Sequence, residues 1–356
     1  MSRTDGALQA DGGGHPGRSG VPGTGDQPVL VVEDLGVSFA TPDGPVNAVR
    51  GVSFTVDSEE VVGIVGESGS GKSVTMMAVM GLLPKTATVT GSVRFRGEEI
   101  LGLSEKELRR HRGNHLAMVF QDPLTSLNPV FTVGNQIAEA IRVHNAMSHK
   151  EAVERAVTLL ELVGIPNPRQ RAGQYPHEFS GGMRQRAMIA MSISNNPDVL
   201  IADEPTTALD VTIQAQILEV LDRAQAAACS AIVLITHDLG VVAGMADRVL
   251  VMYAGRAVEN GSVDDVFLHP RHPYTLGLLE SLPRLDSQGH ERLTPITGAP
   301  PSLLHPPPGC PFHPRCRFAQ PMCSEVGPEL RFVGGLGQRA SCHYAEELEA
   351  VETGAP

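Results

Sequence analysis

Short runs of β-branched residues alternate with longer segments of helical periodicity along most of the chain. Such alternation predicts an α/β fold with buried parallel strands. We assign residues 28–265 to this domain. The predicted strands are residues 61–65, 116–120, 199–202, 231–236 and 248–253.

The strand pattern disappears in the middle of the domain. Residues 133–145 and 150–163 instead have the periodicity of amphipathic helices. We therefore predict a helical subdomain, about residues 122–185, that interrupts the sheet.

The two ends of the chain differ in composition from this domain. Residues 1–27 are rich in Gly, Asp, Ser and Pro and lack the apolar stretch of a secretory signal, which predicts a disordered arm. Prolines become frequent after residue 265, so residues 266–344 are predicted to form a small, irregular C-terminal domain. Residues 345–356 carry four glutamates and are predicted to be an acidic tail.

A glycine-rich segment connects the first predicted strand to a helical segment. Residues 66–73 read Gly-Glu-Ser-Gly-Ser-Gly-Lys-Ser, the pattern of a loop whose backbone N–H groups surround phosphates. Lys72 adds a positive charge, the Ser73 hydroxyl suits Mg²⁺, and the helix N-terminus favours an anion. The predicted phosphate contacts are Gly66, Ser68, Gly69, Ser70, Gly71, Lys72 and Ser73.

Polar side chains follow three other predicted strands. Asp203 and Glu204 end one strand, His237 follows the next, and Gln121 ends an earlier one. The ends of parallel strands meet at one edge of a sheet, where ligands bind. Asp203 and Gln121 suit Mg²⁺, Glu204 can polarise a water molecule, and His237 can hydrogen-bond a terminal phosphate.

These segments together resemble the ATP-binding subunits of ATP-binding-cassette (ABC) transporters, P-loop NTPases with a helical insert. The family order is a phosphate loop, Gln121, a signature at residues 179–183, Asp203-Glu204, residues 208–210 and His237, and the resemblance covers about residues 29–262. It implies an ATPase in which Lys72 binds phosphate, Glu204 is the catalytic base and His237 senses the γ-phosphate. Ser73, Gln121 and Asp203 are then the Mg²⁺ ligands.

The resemblance also implies a second nucleotide-binding face. Ser180 and Gly182 would act on the nucleotide of a partner ATPase, and Asp210 would join the nucleotide-binding residues. Phe39 falls where the family stacks an aromatic ring on adenine, and the alternative for Phe39 is a core side chain. The signature has Phe179 and Met183 where Leu and Gln are commoner in the family.

The C-terminal region resembles the extension of dipeptide and oligopeptide importers. The matching segments are residues 269–275, 298–302 and 309–316. The resemblance implies the first of two paired ATPases, with a homologous second ATPase or a second copy, two transmembrane permeases and an extracytoplasmic solute-binding protein. The chain would then lie peripherally at the cytoplasmic face of the membrane. The alternatives are an ATPase of a nickel or other small-solute importer, or a soluble non-transport ABC ATPase.

Four cysteines cluster in the same region, with the spacing C-x₅-C-x₆-C-x₁₈-C. They are Cys310, Cys316, Cys323 and Cys342. Structural zinc usually takes closer chelate pairs, so this spacing favours a [4Fe–4S] cluster, with zinc or no metal as alternatives.

The charge balance argues against a nucleic-acid partner. The formal net charge is −12 and no block of Lys and Arg stands out. No apolar run approaches the roughly 20 residues that span a bilayer.

Overall fold

The central strands of the fold are apolar on both faces, as expected of parallel strands covered on both sides. The computed structural model describes residues 27–122, 126–207, 210–282, 295–333 and 337–348. Within them an eight-stranded sheet has the order β11-β12-β10-β9-β3-β8-β7-β6. The strands are β1 Leu30–Thr41, β2 Gly44–Val56, β3 Val61–Val65, β4 Ala87–Phe95, β5 Glu98–Glu99, β6 Leu116–Val119, β7 Val199–Asp203, β8 Ala231–Thr236, β9 Arg248–Tyr253, β10 Arg256–Ser262, β11 Arg331–Phe332 and β12 Arg339–Ala340. Every predicted strand of the α/β domain is present, with bounds that differ by a residue at most.

Helices cover the sheet and form the insert. The helices are α1 Lys72–Val79, α2 Glu105–His111, α3 Val133–His144, α4 His149–Leu162, α5 Pro168–Ala172, α6 Gly181–Ser192, α7 Val211–Ala228, α8 Leu239–Met245, α9 Val263–Leu268, α10 Pro273–Glu280 and α11 Pro321–Glu325.

A second sheet, which the sequence pattern did not reveal, is antiparallel and has the order β2-β1-β4-β5. Its buried residues include Leu30, Val32, Leu35 and Val37 of β1. The pairing of β1 with β2 shifts register between Val32 and Leu35 and again between Val37 and Ser38. These irregularities break the alternation of apolar and polar residues by which a strand is recognised.

The helical insert contains both predicted helices, α3 and α4. The residues of α3 at Val133, Ile137 and Ile141 are buried at helical spacing. Helix α4 begins with a capping box in which Ser148 accepts from the backbone N–H of Glu151, and the Glu151 carboxylate accepts from the backbone of Ser148. Local sequence alone therefore defines the start of α4.

The C-terminal region continues the main sheet. Helix α9 spans residues 265 and 266, so the boundary predicted there falls within a helix. Strand β12 pairs with β10 in an antiparallel register that places Ala340 opposite Glu259. The fully buried Glu259 carboxylate accepts hydrogen bonds from the backbone N–H groups of Arg271 and His272 and from the Gln338 amide. These contacts join residues from both sides of the predicted boundary.

The predicted terminal segments lie mostly outside the described residues. The disordered arm and residues 349–356 of the acidic tail fall there. The tail prediction is wrong for residues 345–348, because Ala345 and Leu348 are buried and Ala345 packs beside Val333 and Ala340. In the described part of the chain, no helix has both the length and the apolar character needed to cross a membrane.

Candidate active site

The phosphate loop connects β3 to α1 and is held tightly against its surroundings. A Cβ atom on Gly66 would lie 2.2 Å from the carbonyl oxygen of Met252, and one on Gly71 would lie 2.6 Å from that of Ala48. Both glycines have positive φ, at 151° and 101°. Only glycine allows this close approach and this backbone conformation.

Lys72 is buried at the first turn of α1. Its Nζ donates to the carbonyl oxygens of Gly66 at 2.7 Å and Glu67 at 3.1 Å. Burial lowers the pKa of Lys72, against the opposing charges of Glu204, Asp203 and Glu67. Desolvation of the ammonium strengthens its interaction with any anion that reaches it.

Ser70 and Gly69 are suited to an incoming phosphate. Ser70 is only 4% exposed, and its Oγ has no hydrogen-bond partner among the described residues. Gly69 faces open space, because a Cβ there would meet no atom within 4 Å. Buried hydroxyls normally have a partner, so the loop fits a group that brings oxygen acceptors. Ser68 is also exposed.

The Ser73 hydroxyl and the Asp203 carboxylate meet at the edge of the sheet. Ser73 Oγ donates to Asp203 Oδ1 at 2.8 Å. Burial raises the pKa of Asp203, and the neighbouring charge of Glu204 acts in the same direction. A hydroxyl beside a carboxylate is an oxygen donor set of the kind that Mg²⁺ prefers.

Glu204 lies at the centre of the polar residues that follow the strands. Its Oε2 accepts from Gln121 Nε2 at 3.1 Å and from the Thr207 hydroxyl at 2.7 Å. His237 Nδ1 lies 3.7 Å from the same oxygen, and 63% of the His237 side chain is exposed. Glu204 has φ 46°, a strained conformation for a residue other than glycine. Its backbone N–H donates to Ile235 in β8, which holds it at the strand edge.

The four clustered cysteines line one cavity. Cys310, Cys316, Cys323 and Cys342 surround a space of about 30 Å³ that His313 and His343 also border. Burial raises the pKa values of Cys310, Cys316 and Cys342 to about 11. Nδ1 of His313 and Nε2 of His343 each lie within hydrogen-bond distance of a backbone carbonyl. In the part of the chain that the structure describes, no group of three or more His, Cys, Asp or Glu is placed to hold a metal ion. Metal binding here therefore stays a prediction.

Comparison with known proteins supports the resemblance. The family model "ABC transporter" matches residues 49–207, and the model "Oligopeptide/dipeptide transporter, C-terminal region" matches residues 258–323. The oligopeptide transport ATP-binding protein of Salmonella typhimurium is 55% identical over 90% of this chain and 95% of its own length. The chain belongs to the ABC-transporter ATP-binding proteins of the oligopeptide and dipeptide branch.

Other proteins similar to this ABC ATP-binding protein belong to the same family. The dipeptide transport ATP-binding protein of Bacillus subtilis is 56% identical over 84% of the chain and 90% of its own length. The oligopeptide transport ATP-binding protein of Mycobacterium bovis is 56% identical over 90% of the chain, but the chain spans only 52% of that relative's length. A dimeric ATP-binding cassette solved in a post-hydrolysis state with ADP and Pi has a TM-score of 0.59 and 26% identity, over 66% of the chain and 98% of its own.

The signature of this ABC ATP-binding protein begins α6. Ser180 is the N-cap of that helix, and its Oγ accepts from the backbone N–H of Met183 at 3.3 Å. A Cβ on Gly182 would lie 3.0 Å from Cγ2 of Ile213 in α7, so the two helices approach closely there. Asp210 caps α7 by accepting from the backbone N–H of Ile213. The predicted nucleotide-binding roles of Ser180, Gly182 and Asp210 stay predictions.

Phe39 lies on β1 opposite Val46 and Ala87 and is half-buried. It packs against the cluster that contains Met76 of α1. The side chain therefore contributes to the core and still presents part of its surface, so stacking on adenine stays a prediction.

Sequence reasoning missed three residues that contact the site. Thr207 donates to Glu204, and both Tyr274 and Arg315 contact Glu67 of the phosphate loop. Thr207 lies close to the motif in sequence, and its hydroxyl was a usable signal. Arg315 is 248 residues away from Glu67, and no local pattern predicts that contact.

Proposed function

We propose that this chain is the ATP-hydrolysing subunit that energises import of oligopeptides or dipeptides through an ABC transporter. The observation that carries the proposal is the convergence of Gln121, Thr207 and His237 on the Glu204 carboxylate, beside the Ser73–Asp203 pair. We infer the peptide cargo from the names of two relatives, an oligopeptide and a dipeptide transport ATP-binding protein.

In the proposed mechanism Lys72 binds the β- and γ-phosphates and exchanges its two carbonyl partners for them. Ser73, Asp203 and Gln121 would hold Mg²⁺, which neutralises phosphate charge when bound. Glu204 accepts the proton of the attacking water, and His237 hydrogen-bonds the γ-phosphate. The hydrogen bond from Thr207 keeps the Glu204 carboxylate oriented toward that water.

The partners belong to the same proposal. Ser180 and Gly182 would complete the site of a second ATPase, either a homologue or another copy, and a solved relative is described as dimeric. Two permeases and an extracytoplasmic solute-binding protein would complete the importer, with this chain peripheral at the cytoplasmic face of the membrane.

A groove beside β6 and α6, at the start of the helical insert, suits a permease segment. Met118, Phe120, Ser126, Met188 and Met191 line a space of about 280 Å³. Methionine side chains adapt to an apolar partner, and Phe120 lies next to Gln121 in sequence. A permease helix bound there would communicate with the active site through Gln121.

Uptake of peptides tests the transport function. Cells of the source organism that lack this chain should fail to grow on a peptide as nitrogen source and should grow normally on free amino acids. The wild-type chain should restore growth on the peptide, and the Glu204→Gln variant should not. Normal peptide uptake in the deleted strain would contradict the proposal.

We further propose that the four cysteines bind a [4Fe–4S] cluster. The proposal rests on the four cysteines that line one cavity, since a cluster of this kind takes one thiolate from each of four ligands, and a bound cation would offset the raised thiol pKa values. A metal there would link segments of the chain that are separate in sequence, from Cys310 to Cys342.

Metal analysis of anaerobically purified protein tests this second proposal. We expect iron and sulfide in equal amounts, about four of each per chain, and their loss in a Cys316→Ser variant. The matched control is Cys229→Ser, because Cys229 is exposed and outside the cavity. Stoichiometric zinc, or protein without metal, would contradict the cluster and leave the ATPase proposal standing.

A further inference from the structure

Two side chains of the C-terminal region hold the phosphate loop at Glu67. The Glu67 carboxylate accepts from Arg315 Nη1 at 2.6 Å and from Nη2 at 2.9 Å. The backbone N–H of Glu67 donates to the Tyr274 hydroxyl at 2.8 Å. A two-pronged guanidinium–carboxylate pair fixes direction as well as distance. The first variable residue of the loop is therefore held by both its side chain and its backbone.

Arg315 is itself held rigidly. Its side chain is 5% exposed, it donates to the carbonyl oxygens of Thr297 and Ile296, and its guanidinium lies 5.8 Å from the ring centre of Tyr253. Tyr253, Tyr274 and Phe312 pack together, with ring centres between 4.6 and 5.4 Å apart. The packed rings restrict movement of the guanidinium, so the surrounding fold fixes the position of Arg315.

Glu67 places a negative charge inside a loop that must accept phosphates. Its carbonyl oxygen accepts from Lys72 Nζ at 3.1 Å, so the carboxylate belongs to a residue in direct contact with the phosphate-binding lysine. An unpaired carboxylate there would repel the anion and compete for Lys72. Arg315 supplies the compensating charge from outside the loop.

From this geometry, and given the proposed ATP binding, we infer that Arg315 is a positioning residue for the nucleotide. It neutralises Glu67 and fixes the start of the phosphate loop without touching the phosphates. The C-terminal region thereby contributes to ATP affinity through the Arg315–Glu67 pair. The pair is partly desolvated, with Glu67 27% exposed, so removal of Arg315 alone should weaken ATP binding more than removal of both partners, because it leaves an unpaired carboxylate beside the loop.

Nucleotide titration of four full-length variants tests the inference. Arg315→Gln should raise the Kd of a fluorescent ATP analogue and the KM for ATP about tenfold, with a smaller change in kcat. Glu67→Gln alone should have little effect, and the double variant should recover most of the lost affinity, because no unpaired carboxylate remains. The matched control is Arg317→Gln, which removes a comparable two-pronged pair with Glu280 and should bind like the wild type.

Two results would overturn the inference. One is an Arg315→Gln variant that binds nucleotide as tightly as the Arg317→Gln control. The other is a double variant as weak as Arg315→Gln alone, which would mean that Arg315 does not act through Glu67. Arg315→Lys keeps the charge but not the two-pronged geometry, and it replaces Arg315→Gln if that variant fails to fold, with an intermediate KM expected. A wild-type chain that does not bind ATP would instead refute the proposed function.

Discussion

Replacement of Glu204 by glutamine should lower the rate of ATP hydrolysis by at least about 100-fold, the range expected when a general base is lost. Glutamine keeps the size of the side chain and can still accept from Thr207 and Gln121, so the loop should keep its shape. ATP binding should persist, and the nucleotide should remain trapped unhydrolysed. Phosphate release and nucleotide binding, measured on the same sample, check the two expectations separately.

Glu219→Gln is the matched control for this variant. Glu219 is exposed on α7 and pairs with Arg223 at 3.7 Å, so the same chemical change there should leave hydrolysis unaltered. A Glu204→Gln protein that hydrolysed ATP at the control rate would show that another group takes the proton.

Replacement of Lys72 by alanine should weaken ATP binding about 100-fold, since in the proposed mechanism it removes the buried charge that binds the β- and γ-phosphates. The carbonyl oxygens of Gly66 and Glu67 would also lose their partner, which adds disorder in the loop to the loss of charge. The Kd of a fluorescent ATP analogue measures the effect. Hydrolysis at saturating nucleotide separates weak binding from defective chemistry.

Lys85→Ala is the control for this second variant, because Lys85 is exposed and the substitution makes the same change in net charge. A thermal melt of both variants shows whether the fold is retained. If Lys72→Ala bound ATP as tightly as Lys85→Ala, Lys72 could not be the phosphate ligand.

The parts of the fold that could be predicted are those with a regular local pattern. Strands β3, β7 and β8 are apolar runs in which only the last residue of β7 and of β8 is polar, and helices α3 and α4 have a clear apolar face. The antiparallel sheet was missed because bulges in β1 interrupt its alternation. Strands β11 and β12 have only two residues each, too few for any period to be visible.

The candidate site divides in the same way. The residues of the phosphate loop are contiguous in sequence, and Asp203 and Glu204 end a strand. Their proximity at one edge of the sheet therefore follows from the order of the parallel strands. The contact of Arg315 with Glu67 depends on how two distant segments fold together, and a search for local motifs does not detect it. The sequence analysis names Asp210 only as a nucleotide-binding residue. Its hydrogen bond to the start of α7 is seen only in the structure.

The pairing of β10 with β12 limits which C-terminal extensions can be combined with this cassette. A chimera that joins the cassette of one relative to the extension of another would keep β10 and Glu259 but replace β12 and Gln338, so the new extension must supply both a pairing strand and a donor for that carboxylate. An unpaired strand edge is also a surface on which chains aggregate. Compensating changes on both sides of that junction would therefore have to occur together, and the extension should evolve as part of the ATPase rather than as a module added to it.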